Sequence, residues 1–580
     1  MVHQTYTADV LVIGGGTGGT AAAIQAARRG AKTILVSEFP WLGGMLTSAG
    51  VSVPDGNELE AFQTGLWGAF LQELRQRQPG GLDNSWVSFF SYDPRIGAEI
   101  FADWVRELPN LHWISGQVPL EVFRQADSIT GVRFADFAVT AKIILDGTEL
   151  GDLLALADIP YRWGWELQSE WGEPSAPETF NSLTQKYPVQ APTYVVIMQD
   201  FGEAIAPEIA AAPNYNPSQF TGAWDAYGAE TFLNYGRLPG GLFMMNWPIC
   251  GNDYGEGVGR LIKSDVTRGE FIQESRWHSQ NFAHFIQKQL GRRYGLAEKV
   301  FPHTSTAFAL HPYYRESRRL VGLTTIREQD ILPIARGRVA SIFNDAIAVG
   351  NYANDHHYPG VQFPLQPKSI RWGGRWTGTP FTIPYSCLIP ATTDGFLACE
   401  KNISVSHIAN GATRLQPVVM GIGQAAGMAA AICVELNCQP RDLPIRTLQT
   451  ALLEDNRSKP LIIPLFNLPP NRSDWRHWQL YYLDNPQAYP VNGDCPCTSR
   501  KALIQESNCF TGIFYRLEQQ EYKFTVTAPA AYQGQGWQLV TLRSHIDEQL
   551  RAYPHEQLVT LWGRYNHSGN WLLVEHLNGG

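Results

Sequence analysis

Charge is scarce in this sequence: only 17% of its 580 residues are Asp, Glu, Lys or Arg, against about 25% in ordinary soluble domains. Fifty-four acidic residues outnumber 45 basic ones, for a net charge of -9. No basic block breaks the chain, so a nucleic-acid partner is not expected. Cysteine is sparse as well, at 8 residues. The one close set, Cys495 and Cys497 followed by Cys509, lacks zinc or iron–sulfur spacing. No metal site is expected, and the cysteines read as thiols of a reducing compartment, with Cys495 and Cys497 the one candidate redox pair. A secretory leader is not expected either, because the first apolar run is short and passes straight into glycines; the cytoplasm is the expected location. Only Pro417 to Leu436 is long and apolar enough to suggest a membrane span. Gln424 and the glycines at 421, 423 and 427 make it read instead as a helix buried on all sides of a folded core. What is abundant is apolar and aromatic surface, 44% and 12% of residues with 18 Trp, which excludes a disordered chain. The length suggests about two to four domains and room to bury a large cofactor.

Residues 8–13, ADVLVI, read as a buried parallel strand, and an Ala-rich helix is expected from Thr20 to Arg29, with a second strand at Thr33 to Ser37. Between strand and helix lies GGGTGG, which fits GxGxxG at Gly14, Gly16 and Gly19, with Thr17 inside the turn. Glycine is required there because the turn is tight, a pyrophosphate must approach the backbone, and the helix must pack closely on the sheet. Glu38 ends the second strand, where an acid accepts hydrogen bonds from both ribose hydroxyls and disfavours a 2′-phosphate; the expected nucleotide is FAD or NAD, not NADP. Helices are predicted over Gly65 to Arg77, Ile96 to Glu107 and Arg268 to Leu290. Strands are expected at HWISG, VPLEVFR, ITGVRFA and AKIILDGTE, at FTIPYSCLIPA and GFLACE, and near the end at EYKFTVTA, WQLVTLRS and WLLVEHL.

Five motifs in order carry a resemblance: the glycine turn with Glu38, then LGGMLT at 42–47, ISGQV at 114–118, ILDGT at 144–148 and GFLACE at 395–400. From residue 5 to about 440 the chain resembles FAD-dependent oxidoreductases of the glutathione-reductase fold group, in particular bacterial flavoproteins labelled fumarate-reductase-like or heterodisulfide-reductase-subunit-A-like. The resemblance implies that Gly43 and Gly44 pass under the pyrophosphate, that Val118 offers its backbone to adenine, that Asp146 belongs to the cofactor set, and that Glu400 contacts the ribitol. The helix opening at Pro417 and Val418 can point its positive end at a reduced flavin, which accounts for its small residues.

The chain also departs from that pattern. Where fumarate-reducing relatives have HGANRL, it reads Asn410-Gly411-Ala412-Thr413-Arg414-Leu415, with His407 three residues earlier, which weakens carboxylate reduction. No His lies between His3 and His112, so flavin attachment is expected to be noncovalent. Iron–sulfur cysteines are missing. The one other glycine-rich stretch, Gly255 to Gly259, follows a loop, so a separate NAD(P)H domain is not expected.

Chemistry-bearing candidates gather at His311-Pro312-Tyr313-Tyr314-Arg315-Glu316-Ser317-Arg318-Arg319. His311 or His357 is the expected proton carrier, Arg315 or Arg318 the group holding a substrate anion, and Tyr385, His407 and Arg414 are the reserve. The expected fold is α/β: a Rossmann-like FAD-binding domain of glutathione-reductase type built from residues 1–160 and 370–455, an inserted α+β substrate domain at 161–369, and a C-terminal β-rich module at 470–580. The expected function is hydride transfer between a small organic substrate, an anion among the candidates, and noncovalent FAD. The electron acceptor is left open. Flavin monooxygenase or oxidase is one alternative, and a flavin-binding interaction protein without turnover is another.

Overall fold

The computed structural model describes residues 4–302, 307–335, 337–372, 375–496, 508–518 and 521–578. Its centre is a sheet whose strands are β1 (Gln4–Ile13), β2 (Thr33–Ser37), β3 (Leu111–Ser115), β4 (Glu121–Gln125), β5 (Ser128–Arg133) and β6 (Phe137–Asp146), in the order β3-β2-β1-β6-β5-β4. A seventh strand, Phe396–Ala398, lies parallel to the end of β6. β3, β2, β1 and β6 are mutually parallel, whereas β4, β5 and β6 form an antiparallel meander. Burial on both faces explains why β1 and β2 read as unbroken apolar runs. Helix α1 (Thr17–Arg28) follows the glycine turn, and α2 (Gly65–Arg77) and α3 (Pro94–Arg106) follow β2. Asp93 caps α3 by accepting the Arg95 N–H at 3.0 Å, and Pro94 occupies its first turn.

α1 begins three residues before its expected start. Glu400 reaches across from behind the seventh strand and accepts the Gly18 N–H at 2.6 Å, which satisfies one of the free N–H groups of the first turn and lets the glycines themselves enter the helix.

Residues 161–369 carry a three-stranded antiparallel sheet of β7 (Val196–Asp200), β8 (Leu242–Met245) and β9 (Tyr294–Leu296), in the order β9-β7-β8. The short helix α4 (Ala229–Tyr235) precedes β8, and the 26-residue α5 (Asp265–Leu290) precedes β9. α6 (His407–Thr413) and α7 (Gln416–Leu436) return the chain to the main sheet. α7 is long and apolar enough to cross a membrane, yet 89% of its most apolar window is buried in protein. Its small residues serve helix packing: a Cβ on Gly423 would stand 2.1 Å from the Gly18 carbonyl oxygen, and one on Gly427 2.2 Å from that of Ala22. The proximity of α1, rather than of a flavin, sets the size limit on that face. The last strands, β10 (Asn508–Glu518), β11 (Glu521–Ala528), β12 (Gly536–Val540), β13 (Gln557–Asn566) and β14 (Trp571–Leu577), close into a barrel in the order β10-β11-β12-β14-β13. Cys495 is a buried thiol, and Cys497 lies outside the described residues.

Candidate active site

The glycine turn forms a cradle with no space for side chains. Gly14 has φ +99°, and a Cβ there would lie 2.2 Å from the carbonyl oxygen of Gly147. Gly43 (φ +105°) and Gly44 (φ +51°) fold against the turn, where a Cβ on Gly44 would meet Gly16 Cα and the Thr17 nitrogen, each at 2.7 Å. Thr17 Oγ1 donates to the Gly43 carbonyl at 2.8 Å, which ties the two glycine segments together. Asp146, at the end of β6, accepts from Thr148 N and Oγ1 at 3.0 and 2.6 Å, bracing the Gly147 turn under Gly14. Burial raises its carboxyl to about 7. Glu400 is fully buried between Gly18 and Lys401 Nζ, 3.0 Å away, so it shapes the cradle from behind. Burial works against the Lys401 charge, but Glu149 and Glu400 outweigh it and raise the ammonium's pKa.

Glu38 ends β2 with solvent access but is hemmed in by protein; desolvation, with Asp152 next in weight, raises its carboxyl to about 7. Val118, 44% exposed, follows the neighbouring strand β3. The cradle and Glu38 thus share the carboxyl end of the parallel strands, the position a dinucleotide takes in such sheets. A nucleotide diphosphate fits the residues present: side chains are excluded where it must approach, and an acid stands at the strand end.

The chain leaves Gly44 and runs through Ser48 to Asp55; beyond it lies a polar cluster of side chains, called the polar cavity below for the partial exposure of Asp355 and His357. There His357 Nδ1 lies 2.7 Å from Asp253 Oδ2, and its Nε2 lies 2.8 Å from Asp355 Oδ2. Both nitrogens face carboxylate oxygens, an arrangement that only a doubly protonated ring satisfies. Arg315 pairs with Asp253 at 3.0 Å, and Arg414 reaches Asp355 Oδ2 at 3.2 Å and Tyr313 Oη at 2.6 Å. Burial pushes the Asp253 carboxyl up, but Arg315 and His357 outweigh it and hold it at about 2. Asp355 is likewise held well below the carboxylate range, burial being overcome by His357 and Arg414. The Asp355 side chain nonetheless keeps 40% of its exposure. The phenols of Tyr235 and Tyr352 join it, both raised by burial and by nearby carboxylates that include Asp55 and Asp355. α7 opens beside this cavity, with Pro417 and Val418 buried in its first turn.

A hydrogen-bonded chain runs behind the cavity, and its proton positions follow from chemistry. His356 Nε2 faces the Ile408 carbonyl at 3.0 Å and must donate. Its Nδ1, 2.7 Å from Tyr358 Oη, therefore accepts when the ring is neutral. Tyr358 Oη in turn accepts from His407 Nε2 at 2.6 Å, leaving His407 Nδ1 opposite Glu316 Oε1 at 2.8 Å. Burial, aided by His407 next to His356 and by Arg319 next to His407, lowers both imidazoles to about 3. Burial raises Glu316 to about 7, and Arg319 opposes this. The shared proton thus rests on Glu316, while Glu166, 2.7 Å from Arg319 Nη1, supplies the charge that Arg319 needs.

The structure separates the sequence candidates. Arg315, His357 and Arg414 meet at the cavity. Arg318 turns away to Asp152 at 2.9 Å, near the end of the cradle that holds Glu38. His311 lies beside the cradle, with Nε2 3.0 Å from Ser48 Oγ and its ring stacked on Phe39; burial lowers its pKa. His407 is fully enclosed, and Tyr385 donates to the Pro440 carbonyl inside the core. Asp253, Tyr235 and Tyr352 were not foreseen. The sequence places Asp253 in the loop before Gly255, where the structure has an isolated bridge to Thr193 and no strand of a second dinucleotide motif. A separate open groove of about 670 Å³, lined by Gln25, Arg28, Arg446, Asp455 and Arg457, lies at the far end of α1, remote from the cradle.

Solved structures with a similar fold include a geranylgeranyl bacteriochlorophyll reductase-like protein from Thermoplasma acidophilum, 11% identical, covering 83% of this chain and 88% of that one with a TM-score of 0.33. Others are GidA from Aquifex aeolicus, 18% identical with 33% and 34% coverage and TM-score 0.21, and thioredoxin reductase from T. acidophilum, 17% identical with 32% and 47% coverage and TM-score 0.16. AlpK, another match, is spanned over 40% of its length. No curated protein matches. The family model described as FAD dependent oxidoreductase matches residues 9–452, which cover the cradle, Glu38, the polar cavity and α7. The chain belongs to the FAD-dependent oxidoreductase family, and its cofactor is FAD.

Proposed function

We propose that the protein transfers a hydride between a small organic substrate and noncovalently held FAD, in the manner of a dehydrogenase or reductase, with the FAD-binding part arranged as in the glutathione-reductase type. The observation that carries this reading is the glycine cradle with Glu38 at its strand end, in a chain whose polar cluster fixes His357 between Asp253 and Asp355. Bound FAD supplies the hydride acceptor or donor. The cradle at Gly14, Gly16, Thr17, Gly19, Gly43 and Gly44 would hold its pyrophosphate, Glu38 its adenosine ribose, and Val118 its adenine edge. His357 holds a proton at Nε2, shared with Asp355, within reach of the cavity. Arg414 and Arg315 fix the two carboxylates and so fix the ring between them. Burial of this set excludes bulk water and strengthens each of these interactions.

The test is anaerobic reduction of the purified holoprotein by a panel of small metabolites, followed by admission of oxygen. FAD released intact by acid, saturable reduction by one member of the panel and slow reoxidation by oxygen are the expected results. Rapid reoxidation would favour an oxidase or monooxygenase. A chain without FAD, or a flavin that no member of the panel reduces, would remove the reading.

A further inference from the structure

Helix α7 ends on a turn that sets two cysteines side by side. Asn437 takes the left-handed conformation at φ 50° and ψ 48°, the Cys438 N–H donates to the Cys433 carbonyl at 3.0 Å, and the Asn437 N–H donates to the Val434 carbonyl at 3.4 Å. Those two bonds define a Schellman turn, in which the side chains at the positions of Cys433 and Cys438 meet, ordinarily as an apolar contact. Here the contact joins two free thiols: Cys433 is 1% exposed in the core, and Cys438 is open in part to solvent. Cys433 also hydrogen-bonds with both Cys438 and Tyr385.

The surroundings hold the pair together and make its members unequal. Gln439 accepts the Gly395 N–H at 2.8 Å, and Arg441 pairs with Asp394, so the chain just past the turn is fixed to the loop before the seventh strand. Tyr385 gives its one hydroxyl proton to the Pro440 carbonyl at 3.0 Å and so accepts from the Cys433 thiol. Burial, with Cys438 next in weight, raises the Cys433 thiol, which therefore keeps its proton, whereas Cys438 is the sulfur that a small solute can reach. About 24 Å of helix, at about 1.5 Å per residue, separates Cys433 from Pro417 in the first turn of α7, so the natural oxidant is a solute rather than a flavin held near that end.

We propose that Cys433 and Cys438 form a redox site outside the flavin centre, which hydrogen peroxide converts to a disulfide and a dithiol reductant restores. Cys438, after losing its proton to solvent, attacks the peroxide: an S–O bond forms, the O–O bond breaks, and the departing hydroxide takes up a proton as water. Cys433 then attacks the Cys438 sulfur; the S–S bond forms, the S–O bond breaks, and the Cys433 proton leaves with the hydroxyl group as a second water. The pair loses two electrons and the peroxide gains them. The test treats the FAD-loaded protein with peroxide, alkylates the remaining thiols and maps the cysteines by mass spectrometry. A single bond between Cys433 and Cys438, reversed by dithiothreitol, is expected. In Cys433→Ser, Cys438 should stop at the sulfenic acid and be trapped by dimedone; in Cys438→Ser, Cys433 should oxidise about 10-fold more slowly than in wild type, since it is screened from solvent. Cys433 and Cys438 that stay alkylatable when the exposed thiols Cys250 and Cys509 are already oxidised, or a Cys438 that bonds to any other cysteine, overturn the proposal. So does a bond between Cys433 and Cys438 that forms only after unfolding in urea, which would show that the native turn keeps the sulfurs apart.

Discussion

Glu316 shows how hydrogen-bond geometry can decide a charge state. The carbonyl of Ile408 at one end of the His356, Tyr358, His407 chain forces each link to point toward it, so the acid at the other end must donate. A neutral Glu316 predicts a carboxylic C=O band in the infrared difference spectrum at pH 6, absent from Glu316→Gln. Gln keeps a donor toward His407 Nδ1 and an acceptor toward the Gln190 N–H at 3.2 Å, but turns that donor toward Arg319 Nε, 3.0 Å from the oxygen it replaces, so folding and FAD content of the variant are measured first. The pH dependence has a definite sign. A carboxyl raised from 4.5 to about 7 in the folded state contributes stability that is complete below 4.5 and is lost as pH rises to about 7. The variant lacks that contribution, so its Tm relative to wild type should climb between pH 4.5 and 7 and level off above. A difference in Tm that is flat with pH, with no carboxylic band in the wild type, would show that Glu316 is ionised and paired with a cationic His407.

The elements were legible to different depths, for physical reasons. β1, β2, α2 and α7 could be read from the sequence because their patterns are local: two-sided burial writes an apolar run, and a helix face recurs every three to four residues. Strand β11 of the barrel alternates between buried and exposed residues, and β14 is a short apolar run, both local patterns. The sheet of β7, β8 and β9 was not seen, because its short strands are separated by Pro- and Trp-rich loops without periodicity. Arg315 and Arg318 read as alternatives for one role because they are neighbours in one basic cluster of the sequence. In the irregular backbone at 311–318 nearness in sequence does not carry over into space: Arg315 pairs with Asp253 and Arg318 with Asp152. The reason for the glycines of α7 was also hidden, since a sequence does not say which helix lies alongside. Gly423→Ala tests the packing account. Its methyl group would press on the Gly18 carbonyl at 2.1 Å, and overpacking of this kind costs about 1–3 kcal/mol. Because Gly18 is also the residue whose N–H meets Glu400, the variant should lose FAD at lower temperature than it unfolds, as seen by flavin fluorescence against circular dichroism. Gly421→Ala, where the nearest atom to a new Cβ is the Ala348 methyl at 3.3 Å, should be far milder.

At the scale of the whole molecule, the barrel is tied to α4 through the loop at 83–90 and directly through the Ser568 carbonyl, which accepts from Asn234 Nδ2 at 3.5 Å. Asn566 Nδ2 at the end of β13 donates to Asp83 Oδ1 at 2.8 Å and to the Ser85 carbonyl at 3.0 Å, and Trp571 lies edge-on to Phe89, 5.6 Å between ring centres. The loop held in this way carries Trp86, whose backbone N–H donates to Asn234 at 3.2 Å and whose indole N–H donates to Thr231 at 2.6 Å. Both acceptors are carbonyls of α4, the helix that ends at Tyr235 on the cavity wall. The barrel is thereby linked to Tyr235 through Trp86 and α4, while its described contacts leave the glycine cradle untouched. Asn566→Ala removes two buried donor contacts, each worth about 0.5–1.5 kcal/mol net, and loosens the loop without removing any group that touches FAD. The expected outcome is unchanged FAD content, faster proteolytic cleavage near residues 83–90, and a KM for the identified substrate raised about 3- to 10-fold with kcat within twofold of wild type. Trp86→Phe, which keeps the ring but loses the bond to Thr231, should shift KM in the same direction. If Asn566→Ala loses FAD, or if KM stays constant while the loop becomes protease-sensitive, the barrel does not position the cavity wall, and its role is confined to covering the apolar surface around Phe89.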